Sequence, residues 1–170
     1  MTDPFQALSL SPRFDLADAD IERAYLGKIA SAHPDAASQA EAADPATLND
    51  ARRALLDPEQ RAEALLAVLG GPGPGSDREL PDGFLHEMLD VRMQLEDAQA
   101  SDDPAEREQW RAWASERRDQ HIAAVAQHFS DYANNPQPEK LVAVRRELNA
   151  WRYAERMLEQ IDPAAGPGLE

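Results

Sequence analysis

Few residues in this chain have the chemistry to react or to bind a ligand, and that narrows the choice early. Its 170 residues include no cysteine, four histidines, 17 basic and 32 acidic side chains. Without thiols there is no disulfide framework, no thiolate chemistry, and no Cys-ligated zinc or iron–sulfur centre. His121 and His128 are seven residues apart, hence on one helical face. Two imidazoles two turns apart, without cysteine and without a Glu-x-x-His companion, do not make a metal site. The first histidine of the chain opens the tripeptide His33-Pro34-Asp35, which lies between two helical patterns. As an active site it is too small: the proline holds histidine and aspartate apart, and no nucleophile accompanies them. No cofactor and no catalysis are expected, and His33-Pro34-Asp35 reads either as a plain turn or as a recognition loop.

The elements that must carry that loop follow from apolar periodicity. Ile21, Ala24, Tyr25, Lys28 and Ile29 line one helical face. This helix must stop before Pro34, because the residue preceding proline is pushed out of the α region. A second helix follows Asp44-Pro45, with Leu48, Ala51 and Leu55 at helical spacing. Asp57-Pro58 reads as an N-cap and an N1 proline opening a third, which carries Ala62, Leu65, Leu66 and Leu69. Phe5, Leu8 and Leu10 supply a short turn or two near the N-terminus. The run Gly70-Gly71-Pro72-Gly73-Pro74-Gly75 can be neither helix nor central strand and reads as a linker.

Beyond it, three longer patterns run over about 82–99, 104–132 and 139–161, punctuated by Asp103-Pro104 and Asn134-Asn135-Pro136. Alternating β-branched runs are absent, so the expected fold is all-α in two lobes. The expected boundaries are 1–71, a linker over 72–80, a three-helix bundle over 81–162 and a frayed tail over 163–170. In the first of the long helices, Phe84, Met88, Val91 and Leu95 already make a sufficient core stripe. Leu85, Leu89 and Met93 form a second stripe, displaced by about 100°. It serves either a second core contact or an interaction surface, rimmed by Asp90 and Asp97 with His86 alongside.

The motifs carry a family resemblance. Tyr25 stands eight residues before His33-Pro34-Asp35, and Leu48 to Leu56 leads into Asp57-Pro58-Glu59-Gln60-Arg61. Together with Phe5-Gln6-Ala7-Leu8, these resemble a J domain. Arg61-Ala62-Glu63-Ala64-Leu65-Leu66 and Phe84-Leu85-His86-Glu87-Met88-Leu89-Asp90-Val91-Arg92 resemble the HscB family, J-type co-chaperones of iron–sulfur cluster assembly. The resemblance implies an L-shaped protein whose J domain, an antiparallel helix pair, joins a C-terminal three-helix bundle. It implies that His33, Pro34 and Asp35, with Arg23 and Lys28, engage a DnaK/HscA-type chaperone and stimulate its ATPase. It further implies that Leu85, His86, Leu89, Asp90, Met93 and Asp97, with Tyr153 opposite on the last helix, bind the iron–sulfur scaffold protein.

The sequence departs from the J-domain pattern where basic residues are usual. Leu26, Gly27, Ser31, Ala36 and Ala37 stand there, Arg52 replaces an aromatic, and only Arg23 and Lys28 remain. Strong electrostatic steering onto a chaperone is therefore not expected. The residues alone leave open a J-domain protein serving another client, one with weakened chaperone coupling, or a structural adaptor. A net charge of −15 disfavours nucleic acid and anionic membrane surfaces as partners. The N-terminal Met1-Thr2-Asp3-Pro4 resembles no signal or transit peptide, and no apolar run approaches a bilayer span. A bacterial cytoplasmic location is expected, with the oligomeric state open.

Overall fold

The computed structural model describes residues 3–31, 44–101 and 103–161, with the side chains of 94–101, 158, 160 and 161 left aside. Seven α-helices and no strand occur among the described residues: α1 (Pro4–Leu8), α2 (Asp18–Ser31), α3 (Pro45–Leu56), α4 (Pro58–Val68), α5 (Phe84–Ser101), α6 (Pro104–Asn134) and α7 (Pro138–Ile161). Four of them begin at an Asp-Pro pair. Proline supplies the helical φ at N1 and forfeits only an amide that would have no intrahelical partner. In three of the four the aspartate side chain then caps: Asp3 accepts from the Phe5 amide at 2.9 Å, Asp57 from Gln60 at 3.0 Å and Asp103 from Ala105 at 2.8 Å.

The chain divides into two compact units, residues 1–73 and 74–170, so the seam falls inside the Gly/Pro run. In the first unit α2 and α3 lie antiparallel, since Tyr25 meets Asn49 while Glu22, a turn earlier, meets Arg52, a turn later. Phe5, Leu8, Ile21, Leu48, Leu55 and Leu66 are fully buried and join α1 to α4 in one core. The stripe predicted on α2 buries only Ile21 completely; Ala24, Tyr25, Lys28 and Ile29 are half-buried. The ring of Tyr25 lies at the edge of the core, where its hydroxyl donates to Asn49 Oδ1 at 2.7 Å. Gly70, at φ 76°, ends α4 in a left-handed turn whose Gly71 amide reaches back to the Leu66 carbonyl at 2.8 Å.

Arg61 is the unexpected member of this core. Its side chain is buried, with Nη1 donating to the Leu55 carbonyl at 2.8 Å and reaching the Leu16 carbonyl at 3.4 Å. The guanidinium lies 5.6 Å from the Phe14 ring centroid. Burial lowers its pKa, and the neighbouring Asp18, Asp57 and Asp15 oppose that shift. Arg61 thus fastens the segment before α2 to the end of α3.

In the second unit, α6 and α7 form a long antiparallel hairpin. Lys140 Nζ donates to the Asp131 and Asn135 carbonyls at 2.8 and 2.9 Å across its turn, and Val125, Phe129, Leu141, Val144 and Leu148 fill its seam. The end of the linker belongs to this unit. Asn149 Nδ2 donates to the carbonyls of Asp77 and Glu79 at 3.1 and 2.9 Å, and Arg146 pairs with Glu79. Helix α5 then lies on the hairpin, antiparallel to α6: Phe84 meets His121, and Glu87, one turn on, pairs with Arg117, one turn back.

Replacing Arg61 by Met keeps the volume but leaves the Leu55 carbonyl without its donor. A buried unsatisfied acceptor costs about 1–3 kcal/mol. Urea unfolding of Arg61→Met is expected to show a loss in that range, with the helical far-ultraviolet signal intact before the transition.

Candidate functional site

The helix α5 carries more apolar surface than the hairpin can cover. Phe84, Met88 and Val91 point inward and are buried against Ala114, Ala150 and Met157, with Leu80, Trp110, Trp113 and Tyr153 packed at the edge. Phe84 fixes the rotation of the helix. Its ring meets His121 of α6 edge-on at 5.7 Å and Tyr153 of α7 at 5.5 Å and 90°, the geometry that the ring quadrupoles prefer. His121 is itself held, because its Nδ1 lies 2.8 Å from Glu147 Oε2 across the hairpin.

With Phe84 seated, the second stripe faces away from the hairpin. Leu85, Leu89 and Met93 are 61%, 63% and 68% exposed. They follow one another in steps of four residues, so the three side chains form one row along the helix. His86 and Asp90 are also exposed and lie beside them. Such a row has apolar centre and polar margin, the composition of a protein-binding patch. The structure thus brings together Leu85, His86, Leu89, Asp90 and Met93. Asp97 is in the same helix, with its side chain outside the description. Tyr153 is half-buried, its ring engaged by Phe84.

A second candidate surface is the outer face of α2. His33-Pro34-Asp35 follows this helix in the sequence and lies outside the described residues, as do Ala36 and Ala37. Arg23 is exposed and pairs with Asp20 at 2.7 Å. Lys28, in the last turn of the helix, is half-buried. Sequence reasoning did not anticipate the role of Arg52. It grips Glu22 with a two-pronged contact, Nε to both carboxylate oxygens at 2.9–3.0 Å and Nη2 to Oε1 at 2.6 Å. Its guanidinium also lies 5.3 Å from the Tyr25 ring centroid. The hydrogen bond from Arg52 lowers the Glu22 pKa and raises that of Arg52. The position that resembles an aromatic site in J domains is therefore filled by a cation stacked on a neighbouring ring.

No group of three or more histidine and carboxylate side chains able to hold a metal occurs among the described residues. A shallow cleft of about 640 Å³ on α3, lined by Asn49, Asp50, Arg52, Arg53 and Asp57 among others, presents amide and charged groups without a nucleophile. No described helix is long and apolar enough to cross a membrane. Trp151 is buried, and Trp110 and Trp113 meet edge to face at 5.8 Å, so the tryptophans serve the bundle.

Solved structures share this fold. The structure of human co-chaperone protein HscB superposes with a TM-score of 0.71 at 20% identity, over 96% of this chain and 82% of that one. Chaperone HscB from Vibrio cholerae gives 0.68 at 21%, over 95% and 96%. These likenesses establish the fold class: an all-helical protein with the fold of those two structures. Residues 80–162 match the family described as the HSCB C-terminal oligomerisation domain. The co-chaperone protein HscB homologue of Shewanella pealeana is 31% identical over 154 residues, which cover 86% of this chain and 80% of that protein. The chain belongs to the HscB co-chaperone family.

Neighbouring residues of α5 should respond oppositely to truncation. Phe84→Ala opens a core cavity and is expected to cost about 3–5 kcal/mol in urea unfolding. The double variant Leu85→Ala, Leu89→Ala removes exposed side chains and should change stability by no more than about 1 kcal/mol, the sum of two surface substitutions.

Proposed function

We propose that this protein is a co-chaperone that carries the iron–sulfur cluster scaffold protein to a DnaK/HscA-type chaperone and stimulates that chaperone's ATPase. The observation that carries this reading is the exposed apolar row Leu85, Leu89 and Met93 on a helix that buries Phe84, Met88 and Val91 in the core. A chain that presents such a row to solvent invites a protein partner to cover it. His86 and Asp90 border the row and supply its polar rim, and the proposed surface takes in Asp97 further along the same helix. Tyr153 contributes from α7 at the end of the row where Phe84 seats. Rim charges of this kind steer approach more than they hold the complex together.

In the first unit, His33-Pro34-Asp35 is the segment that acts on the chaperone, with Arg23 and Lys28 on the preceding helix. The proline limits the freedom of the loop, so docking it loses little entropy. The protein performs no bond chemistry in this account. It favours the hydrolysis-competent state of the chaperone by contacting that state better than the other. Residues 1–73 thus serve the chaperone and residues 74–170 the client, in the cytoplasm of a bacterium, without cofactor, nucleic acid or membrane.

Two measurements test the two halves separately. His33→Gln is expected to abolish ATPase stimulation while the melting temperature stays within the range of a surface substitution, about ±0.5 kcal/mol in stability. Stimulation at the wild-type level would remove the trigger role. Leu85→Ala with Leu89→Ala is expected to weaken scaffold binding by about 3–6 kcal/mol, taking roughly 1.5–3 kcal/mol for each leucine covered in the complex. Calorimetric titration showing undiminished affinity would move the client site elsewhere.

A further inference from the structure

His121 and Glu147 are joined across the α6–α7 hairpin, and neither belongs to the surface proposed for the client. Nδ1 of His121 lies 2.8 Å from Glu147 Oε2, and the two side chains are 13% and 17% exposed. A carboxylate only accepts, so Nδ1 carries the proton and donates it to Glu147. The other ring nitrogen, Nε2, is buried and finds no hydrogen-bond partner among the described residues. One polar contact therefore sets the angle of the ring. That angle matters to α5, because the Phe84 ring rests against it at 5.7 Å, inclined at 64°. An apolar pair of like shape would join α6 to α7 about as well, since exchanging both partners of a hydrogen bond in this way is nearly neutral. It would not fix the orientation of the wall on which Phe84 sits.

From these contacts we infer that Glu147 and His121 are positioning residues for client binding: acting through the Phe84 ring, they hold α5 at the rotation that turns Leu85, Leu89 and Met93 outward. The inference rests on the proposed function and adds two residues that govern the client surface from outside it. Phe84 is the first residue of α5 and Leu85 the second, so a turn of the helix that unseats the ring swings the row with it. The same ring meets Tyr153 at 5.5 Å and 90°, so its seat also places the α7 member of the proposed surface. Glu147 precedes Tyr153 by six residues, about 9 Å along the helix axis. The other holds on α5 are less exacting. Burial of Met88 and Val91 is non-directional, and the Glu87–Arg117 pair joins two long, partly exposed side chains. The edge contacts of Phe84 are the ones that depend on angle.

The chain has no cysteine, so a single introduced thiol reports the seating of α5 in the full-length protein. Val91→Cys places it on the buried stripe of α5 and Val144→Cys in the hairpin seam, both near-isosteric changes at buried positions. Reaction with a thiol reagent is timed in each, alone and combined with Glu147→Ala or Glu147→Gln. Affinity for the iron–sulfur scaffold protein is measured by calorimetric titration in the Glu147 variants without the thiol. Glu147→Ala is expected to speed modification at position 91 about tenfold, as local opening of α5 becomes easier, and to leave position 144 protected. It should weaken scaffold binding about five- to tenfold, the scale of one hydrogen bond's net contribution. Glu147→Gln, whose side-chain oxygen still accepts from Nδ1, should match wild type in both. An unchanged rate at position 91 in Glu147→Ala overturns the inference. So does equal acceleration at position 144, which would make the pair a support of the whole bundle. Undiminished scaffold affinity overturns it as well, because the seating of α5 would then not reach the client. Where Glu147→Ala binds normally but Leu85→Ala with Leu89→Ala binds weakly, the proposed client surface survives and only the positioning role falls. Absence of scaffold binding by wild type overturns both.

Discussion

A helix has one rotation about its own axis, and α5 has two apolar stripes competing for it. Only one can face the α6–α7 hairpin. Phe84 decides the matter because it alone offers a large ring at the point where His121 and Tyr153 present theirs, and both edge contacts form together. Turning the helix by about 100° would bring Leu85 and Leu89 inward and expel Phe84, forfeiting those contacts and the burial of the largest side chain of the stripe. His121 can serve as a fixed wall because Glu147 binds its other edge. The Glu87–Arg117 pair marks the same rotation one turn further along. What α5 shows to solvent is thus a consequence of what it must bury.

The first unit obeys a different economy, in charge rather than in apolar area. Its arginines are drawn inward or sideways: Arg61 into the core between two carbonyls, Arg52 across to Glu22, Arg23 back to Asp20. The first two contacts fasten one segment or helix to another, whereas the Arg23–Asp20 pair lies within α2 and leaves the arginine exposed. In a chain with almost twice as many acids as bases, an arginine finds a carboxylate of its own more readily than one on another molecule. Lys28, half-buried in the last turn of α2, and the exposed Arg23 are the cations that this helix retains.

Much of this was legible in the sequence because the signals are local. Asp-Pro pairs announce helix starts whatever surrounds them, and the four-three spacing of Phe84, Met88 and Val91 marks an apolar stripe wide enough for a core contact. The offset row was legible as a row; which stripe is buried depends on the partners of Phe84, more than thirty residues away, and periodicity carries no trace of them. The same reason hides the burial of Arg61, the Arg52–Glu22 pair and the His121–Glu147 contact. Each joins residues distant in sequence, and an arginine or histidine on a helix looks alike whether it meets water or a carboxylate. Tyr25 shows the intermediate case: its position on the inner face of α2 follows from spacing, whereas its hydroxyl bond to Asn49 and the cation above its ring depend on α3.

The central claim is that the outward stripe of α5 is the client surface and the inward stripe is not, and methyl NMR addresses it directly. With Leu, Val and Met methyl groups labelled in the intact protein, iron–sulfur scaffold protein is added stepwise. The account predicts that resonances of Leu85, Leu89 and Met93 shift or broaden together with the first additions, while those of Val125, Leu141, Val144 and Leu148 in the hairpin seam stay in place. Perturbation confined to other surfaces, with the three α5 methyl sets unmoved at saturation, would contradict it.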